Sequence, residues 1–188
     1  MASMLKLDRN LAEELRAAGG DAYKCYQCGT CTGDCPVAWL NNEFNPRKLV
    51  LFASFGIAEP LKSNIPWICS TCYKCTTRCP RDVKPSEVLS AMRKLTIREN
   101  LTDNEGVRFV RAFANVVKEN GELSETKLVI KLKGFAGSLR MLPPNIVWKM
   151  FKKGKISLRE KKAPCVDEVR EIFEVAGGNN GNGRIKEA

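Results

Sequence analysis

Two cysteine runs constrain this chain more than any other feature. The first reads Cys25-x2-Cys28-x2-Cys31-x3-Cys35-Pro36 and the second Cys69-x2-Cys72-x2-Cys75-x3-Cys79-Pro80, the same pattern repeated 44 residues later. Eight of the nine cysteines lie in them. Thiols at i, i+3 and i+6 on a winding backbone can share one centre. The fourth stands too near its own trio to complete a tetrahedron and points away along the next segment. This is the pattern of chains that hold two iron–sulfur clusters, where the fourth cysteine of each run ligates the other cluster. The expected quartets are therefore Cys25, Cys28, Cys31 with Cys79, and Cys69, Cys72, Cys75 with Cys35, each around a 4Fe–4S cube. Structural zinc would use two C-x2-C pairs and leave thiolates over. A disulfide framework belongs to small secreted chains.

The rest of the composition narrows the chemistry. There is no histidine, so Rieske ligation, histidine-held haem and the commonest general base are all absent. No phosphate-binding glycine loop follows a strand, and no nucleophile sits with a base. The first residues lack the apolar stretch of an export signal. The longest uncharged apolar run, 49–58, is half of the ~20 residues a membrane span requires. The expectation is a cytoplasmic chain with no membrane span. The net charge of +10 is concentrated, because residues 127–162 hold eleven Lys or Arg against the single acid Glu160. Three readings of that segment compete: a solvated face above a packed helix, a docking arm for an acidic partner, and a membrane-surface helix. No nucleic-acid-binding motif accompanies the charge, so no nucleic-acid partner is expected.

Helix signals run the length of the chain and no alternating strand pattern appears, so the expected fold class is all-α. Asp8 caps a helix to Ala18 that Gly19-Gly20 ends. Asn45, Pro46 and Gly56 bound a second, apolar nearly all round and expected beside the clusters. Trp67 is expected to pack in the core or shield a cluster. Pro85 opens a third helix carrying Val88, Leu89, Met92 and Leu95. A fourth is expected over 103–119, with Thr102 and Glu105 as a capping box and Val110, Phe113 and Val117 on one face. Short apolar-basic helices follow. Lys24, Lys74, Arg78 and Arg81 lie near the cysteines, either offsetting cluster charge or as ordinary surface charge. Cys165 is expected to be a small buried residue outside both quartets. The expected organisation is a core at 1–100, a helical extension at 101–176 and a disordered tail at 177–188.

The runs together with Trp67-x-Cys69-x2-Cys72-Tyr73-x-Cys75 and Cys79-Pro80-Arg81-x-Val83-x-Pro85 resemble the C subunit of the heterodisulfide reductase of methanogenic archaea, an α-helical ferredoxin-like protein with two 4Fe–4S clusters. Similar modules occur in succinate dehydrogenase, fumarate reductase and anaerobic glycerol-3-phosphate dehydrogenase. The resemblance spans about residues 5–160. The stand-alone length, the absence of a 2Fe–2S module and the Lys152-Lys153-Gly154-Lys155 segment favour the reductase. It implies an electron-transfer iron–sulfur subunit of an oxidoreductase complex. Such a protein relays electrons from a flavin-containing A subunit to a catalytic B subunit, which reduces the coenzyme M–coenzyme B heterodisulfide in methanogenesis. A hydrogenase or formate dehydrogenase is a further partner through the complex. No two cysteines are adjacent, so the CCG motifs of the B subunit are absent and no catalytic substrate site is expected on this chain. The alternatives are a stand-alone ferredoxin-like carrier or the iron–sulfur subunit of another anaerobic reductase.

Anaerobically purified protein is expected to contain about eight iron and about eight sulfide per chain. Saturation by two zinc ions without sulfide would overturn the cluster reading.

Overall fold

A computed structural model describes residues 5–141, 144–154 and 162–178. Among them every regular element is helical. The order is α1 (Arg9–Ala18), a 3-10 turn (Ala22–Lys24), α2 (Thr30–Gly33), α3 (Pro36–Leu40), α4 (Pro46–Phe55), α5 (Glu59–Lys62), a second 3-10 turn (Ile65–Ile68), α6 (Lys74–Thr77) and α7 (Pro85–Arg98). Then come α8 (Glu105–Asn120), α9 (Glu125–Met141), α10 (Pro144–Lys152) and α11 (Val166–Gly178). The chain divides into two compact units, Met1–Gly106 and Val107–Ala188.

Local signals place the three longer helices of the first unit. The Asp8 carboxylate accepts from the N–H groups of Asn10 and Leu11 at 2.9 and 3.2 Å, and so caps α1. Asn45 does the same for α4 through Lys48 N–H at 3.0 Å, with Pro46 in the first turn. Gly56 ends α4 in the left-handed region at φ 63°. The apolar faces of α1, α4 and α7 pack on one another, joining Leu15, Leu49, Val50, Ala53, Val88, Leu89, Met92 and Leu95 in one buried core. Each fully buried Leu, Val or Met there contributes about 1.5–3 kcal/mol before chain entropy is subtracted. Thr96, wholly buried on α7, donates its hydroxyl to the Leu61 carbonyl at 3.0 Å and so ties down α5. The expectation that this nearly all-apolar helix is buried beside the clusters holds for one face of α4 only. Its buried face is Leu49, Val50 and Ala53, whereas Phe55 is exposed.

The second unit departs further from expectation. α8 starts at Glu105, so Glu105 stands in its first turn and Thr102 cannot cap it as the box requires. Val110 and Phe113 share a face with Phe109, but that face is exposed, and Val116 and Asn120 are buried instead. Propensity places the helix; packing chooses its inner face. Asn120 takes the Lys127 ammonium at 2.6 Å on its side chain and the Ala163 N–H at 2.8 Å on its carbonyl. α9 breaks at Gly134, whose φ of 72° and ψ of 166° are not helical. Cys165 is exposed, against the expectation of burial, because Val166 takes the inward position beside it. α11 runs through Gly178, and the rest of the tail, 179–188, lies outside the described residues. So do Lys155, Arg159 and Lys161 of the basic segment. No helix among the described residues is long and apolar enough to cross a membrane.

Gly56 is the tightest junction of the first unit. A β-carbon there would stand 1.7 Å from the Asp8 carbonyl oxygen, on a backbone that disfavours side chains. Gly56→Ala is expected to cost about 3 kcal/mol or more, read as a large fall in thermal midpoint under anaerobic circular dichroism. Gly33→Ala, where nothing lies within 4 Å, should be close to neutral. Equal effects would contradict this packing.

Candidate iron–sulfur sites

Both cysteine runs fold by the same device. Gln27 and Gly29 in the first, and Thr71 and Tyr73 in the second, adopt positive φ of 66°, 86°, 55° and 59°. These are the same two positions of the repeat. Left-handed residues at alternate positions form the backbone pattern of an anion-binding nest, and they wind each Cys-x2-Cys-x2-Cys segment around a hollow. Only one of the four is glycine, so the other three carry backbone strain of about 1–3 kcal/mol each.

A second correspondence fixes each loop to a long helix. The Thr32 hydroxyl donates to Asn45 Oδ1 at 2.9 Å and accepts from Arg47 N–H at 3.0 Å, at the start of α4. Its counterpart Thr76 meets Ser86 Oγ at 2.5 Å and accepts from Ser86 N–H at 3.3 Å, at the start of α7. α2 packs against α6, and Arg78 of the second run pairs with Asp34 of the first at 3.0 Å. The identical threonine after each third cysteine was the sequence signal for this lock. Reading the cysteines alone misses it.

Two hollows result. One, of about 360 Å³, is lined by Cys35 together with Cys69, Cys72 and Cys75, and by Val37, Phe44, Pro46 and Leu89. The other, of about 310 Å³, is lined by Cys25, Cys28, Cys31 and Cys79, with Val50, Pro80, Val83 and Pro85. The fourth cysteine of each run thus stands with the trio of the other. α4 and α7 each contribute to both hollows. Among the described residues no three Cys, Asp or Glu side chains could hold a single metal ion. Four thiols spread around an apolar hollow suit a cluster of several atoms.

The thiols of each quartet differ in environment. Cys28 and Cys72 are exposed. The Thr30 hydroxyl holds the Cys28 thiol below its usual range, and the Lys74 backbone N–H does the same for Cys72. Burial pushes Cys31 up to about 11 and pushes Cys75 up as well. The hydrogen bond to Cys28 raises the Tyr26 phenol. Each hollow therefore pairs a rim thiol that ionises more easily, Cys28 or Cys72, with a half-buried one that ionises less easily, Cys31 or Cys75.

The four basic residues near the runs take different places. Lys74 lines the first hollow, with its ammonium 5.8 Å from the Trp39 ring centroid. Lys24 pairs with Asp21 at 3.7 Å, Arg78 with Asp34, and Arg81 Nε donates to the Lys24 carbonyl at 3.5 Å. Arg47, which no cysteine spacing marks, lines the second hollow. Trp67 lines neither. It lies against Gly106, where a β-carbon would come within 2.4 Å of its ring. Its place is packing within the first unit.

Comparison with known proteins agrees with this geometry. Residues 21–83 match the model of a 4Fe-4S dicluster domain. With the eight cysteines so arranged, the chain is a carrier of two 4Fe–4S clusters in an all-α, ferredoxin-like frame. It is 32% identical over 129 residues to an iron–sulfur C subunit (the one numbered 2) of the CoB–CoM heterodisulfide reductase of Methanocaldococcus jannaschii, covering 67% of this chain and 65% of that protein. It is 45% identical over 75 residues to the C2 subunit of the H(2)/formate:CoB-CoM heterodisulfide,ferredoxin reductase of Methanococcus maripaludis, 40% of each chain. A protein of Archaeoglobus profundus, described as like the C subunit of heterodisulfide reductase, is 32% identical over 128 residues, 65% of this chain and 68% of that one. The chain thus spans between 40% and 65% of the length of the first two.

Proposed function

The chain belongs to the family of heterodisulfide reductase C subunits, and on that premise we propose that it is the electron-transfer member of a heterodisulfide reductase complex. In this reading it relays electrons from a flavin-containing A subunit to a catalytic B subunit that reduces the coenzyme M–coenzyme B heterodisulfide. The observation that carries the proposal is the pair of hollows, each lined by four thiols drawn from both runs. When bound, the two clusters supply one-electron carriers. The protein's part is to hold, shield and expose. Cys25, Cys28, Cys31 and Cys79 would hold one cluster, and Cys69, Cys72, Cys75 and Cys35 the other. Val50, Val83 and Pro80 on one side, and Val37, Phe44 and Leu89 on the other, keep water from the inner faces. Cys28 and Cys72 present the outer edges to a partner.

Substitution separates the sites. Cys79→Ser should lower iron content by about half and perturb the site of Cys25, Cys28 and Cys31. Cys35→Ser should perturb the other, and Cys165→Ser should leave iron unchanged. Electron paramagnetic resonance of the reduced variants distinguishes the two. If Cys79→Ser removes the site of Cys69, Cys72 and Cys75, the assignment is wrong.

We further propose that the basic segment is a docking arm. Lys131 is engaged within its own unit, pairing with Glu119 at 2.5 Å, whereas Lys149, Lys152 and Lys153 on and after α10 are exposed. Charges of one sign speed association by about tenfold or more and are screened by salt. Lys149→Glu, Lys152→Glu and Lys153→Glu together should slow association with the other proteins of the complex about tenfold at low salt and leave iron content unchanged. Intact association with lost binding to anionic vesicles would favour a membrane-surface role, and no change in either would leave a solvated face. Purification of the unmutated protein without any partner, under anaerobic conditions, would favour a free carrier.

A further inference from the structure

The two runs are repeats, yet the hydrogen bonds to their sulfurs are not. The Gln27 side-chain amide donates to Cys25 Sγ at 3.2 Å, and the Thr30 hydroxyl lies 3.4 Å from Cys28 Sγ. The Val83 backbone N–H donates to Cys79 Sγ at 3.4 Å. All three sulfurs line the same hollow. At the repeat positions of the second run, Thr71 replaces Gln27 and Lys74 replaces Thr30. Thr71 serves Cys69 Sγ only through its backbone N–H, at 3.4 Å, and turns its hydroxyl to the Cys69 carbonyl at 3.5 Å. The other hydroxyls of the runs correspond by position, Ser70 standing where Tyr26 does beside the rim thiols, and Thr76 where Thr32 does, both engaged at the starts of the long helices. Each hollow has one cation in its lining, Arg47 in one and Lys74 in the other. What remains unmatched is side-chain donation to sulfur, by the Gln27 amide and the Thr30 hydroxyl, together with the Val83 N–H on Cys79, where Cys35 has no such donor.

A second observation singles out Gln27. Its amide oxygen is buried with no hydrogen-bond partner. A buried, unpaired amide oxygen is unfavourable, and in native proteins it calls for a compensating interaction. The compensation is at the other end of the same amide, where the NH2 group meets the sulfur. A donor aimed at a thiolate gains strength with the negative charge it faces. Donors to cluster sulfurs stabilise the reduced, more negative state and raise the potential.

Resting on the proposal that this chain carries two clusters in electron transfer, we infer that the two sites are held at different potentials, the site of Cys25, Cys28, Cys31 and Cys79 being the higher, and that Gln27 is the positioning residue that sets the gap. Electrons then settle on the side of Tyr26 and Cys28, and the opposite rim, at Cys72, is the side that receives them.

The test is a redox titration of the anaerobic two-cluster protein followed by electron paramagnetic resonance. Gln27→Leu keeps bulk and removes the donor. It should shift the reduction equilibrium of the higher-potential cluster about tenfold toward oxidation, about 59 mV for a one-electron couple, and leave the lower one in place. Thr71→Gln supplies an amide at the repeat position and should raise the lower midpoint, narrowing the gap without touching the Gln27 site. Two clusters at full iron content whose midpoints ignore both substitutions overturn the role of Gln27. A shift of the lower midpoint by Gln27→Leu overturns the ordering. Neither result touches the carrier reading, which stands or falls on iron content and partner association.

Discussion

The first unit depends on where the fourth cysteine of each run goes. Between Cys31 and Cys35 the chain makes one short helical turn, α2, and between Cys75 and Cys79 it makes α6. Each turn is too tight to bring its last thiol back to its own trio. Packed against one another, they deliver Cys35 to the hollow of Cys69, Cys72 and Cys75, and Cys79 to that of Cys25, Cys28 and Cys31. Neither run builds a hollow alone. The helices serve this exchange. α4 and α7 are held together by a shared apolar core, and their first turns touch both hollows, so the core sets the distance over which the two runs meet.

The loops cost energy that a local reading does not reveal. Gln27, Thr71 and Tyr73 hold positive φ without being glycine, which is sustained only because the surroundings over-determine the conformation. The threonine locks to α4 and α7 and the Arg78–Asp34 pair are such surroundings. The ion pair, half open to water, is worth little by itself. The threonine bonds, drawn into the junction of loop and helix, matter more because leaving their partners unpaired is expensive.

Much of this was legible in the chain. The cysteine spacing implied the two quartets, and Asp8, Asn45, Pro46, Pro85 and Gly56 mark helix ends because caps and left-handed termini are local chemistry. The left-handed turns of the loops went unread: Gly29 is a residue type that favours one, but its equivalent Tyr73 is not, since tertiary contacts rather than residue type put it there. The same override explains α8, where Val110 and Phe113 looked inward by periodicity and are exposed. Cys165 looked buried by residue type and is not, because its neighbour Val166 takes the inward place. The Gln27 amide was invisible for another reason. A glutamine between two cysteines carries no signal until its nitrogen is seen against the sulfur and its oxygen against nothing.

The two units divide structure from charge. The first holds every cluster thiol; the second carries the exposed lysines of α10 and a buried knot at Asn120, and no cysteine of the repeated runs. Under the docking proposal, the shielded centres and the surface that would meet a partner belong to different units of the sequence. The exchange of Cys35 and Cys79 is the central claim. Anomalous diffraction at the iron edge, from crystals of the anaerobic two-cluster protein, tests it most directly. The account predicts one iron cube bonded to Cys69, Cys72, Cys75 and Cys35 and the other to Cys25, Cys28, Cys31 and Cys79. A cube bonded to all four cysteines of a single run would contradict it.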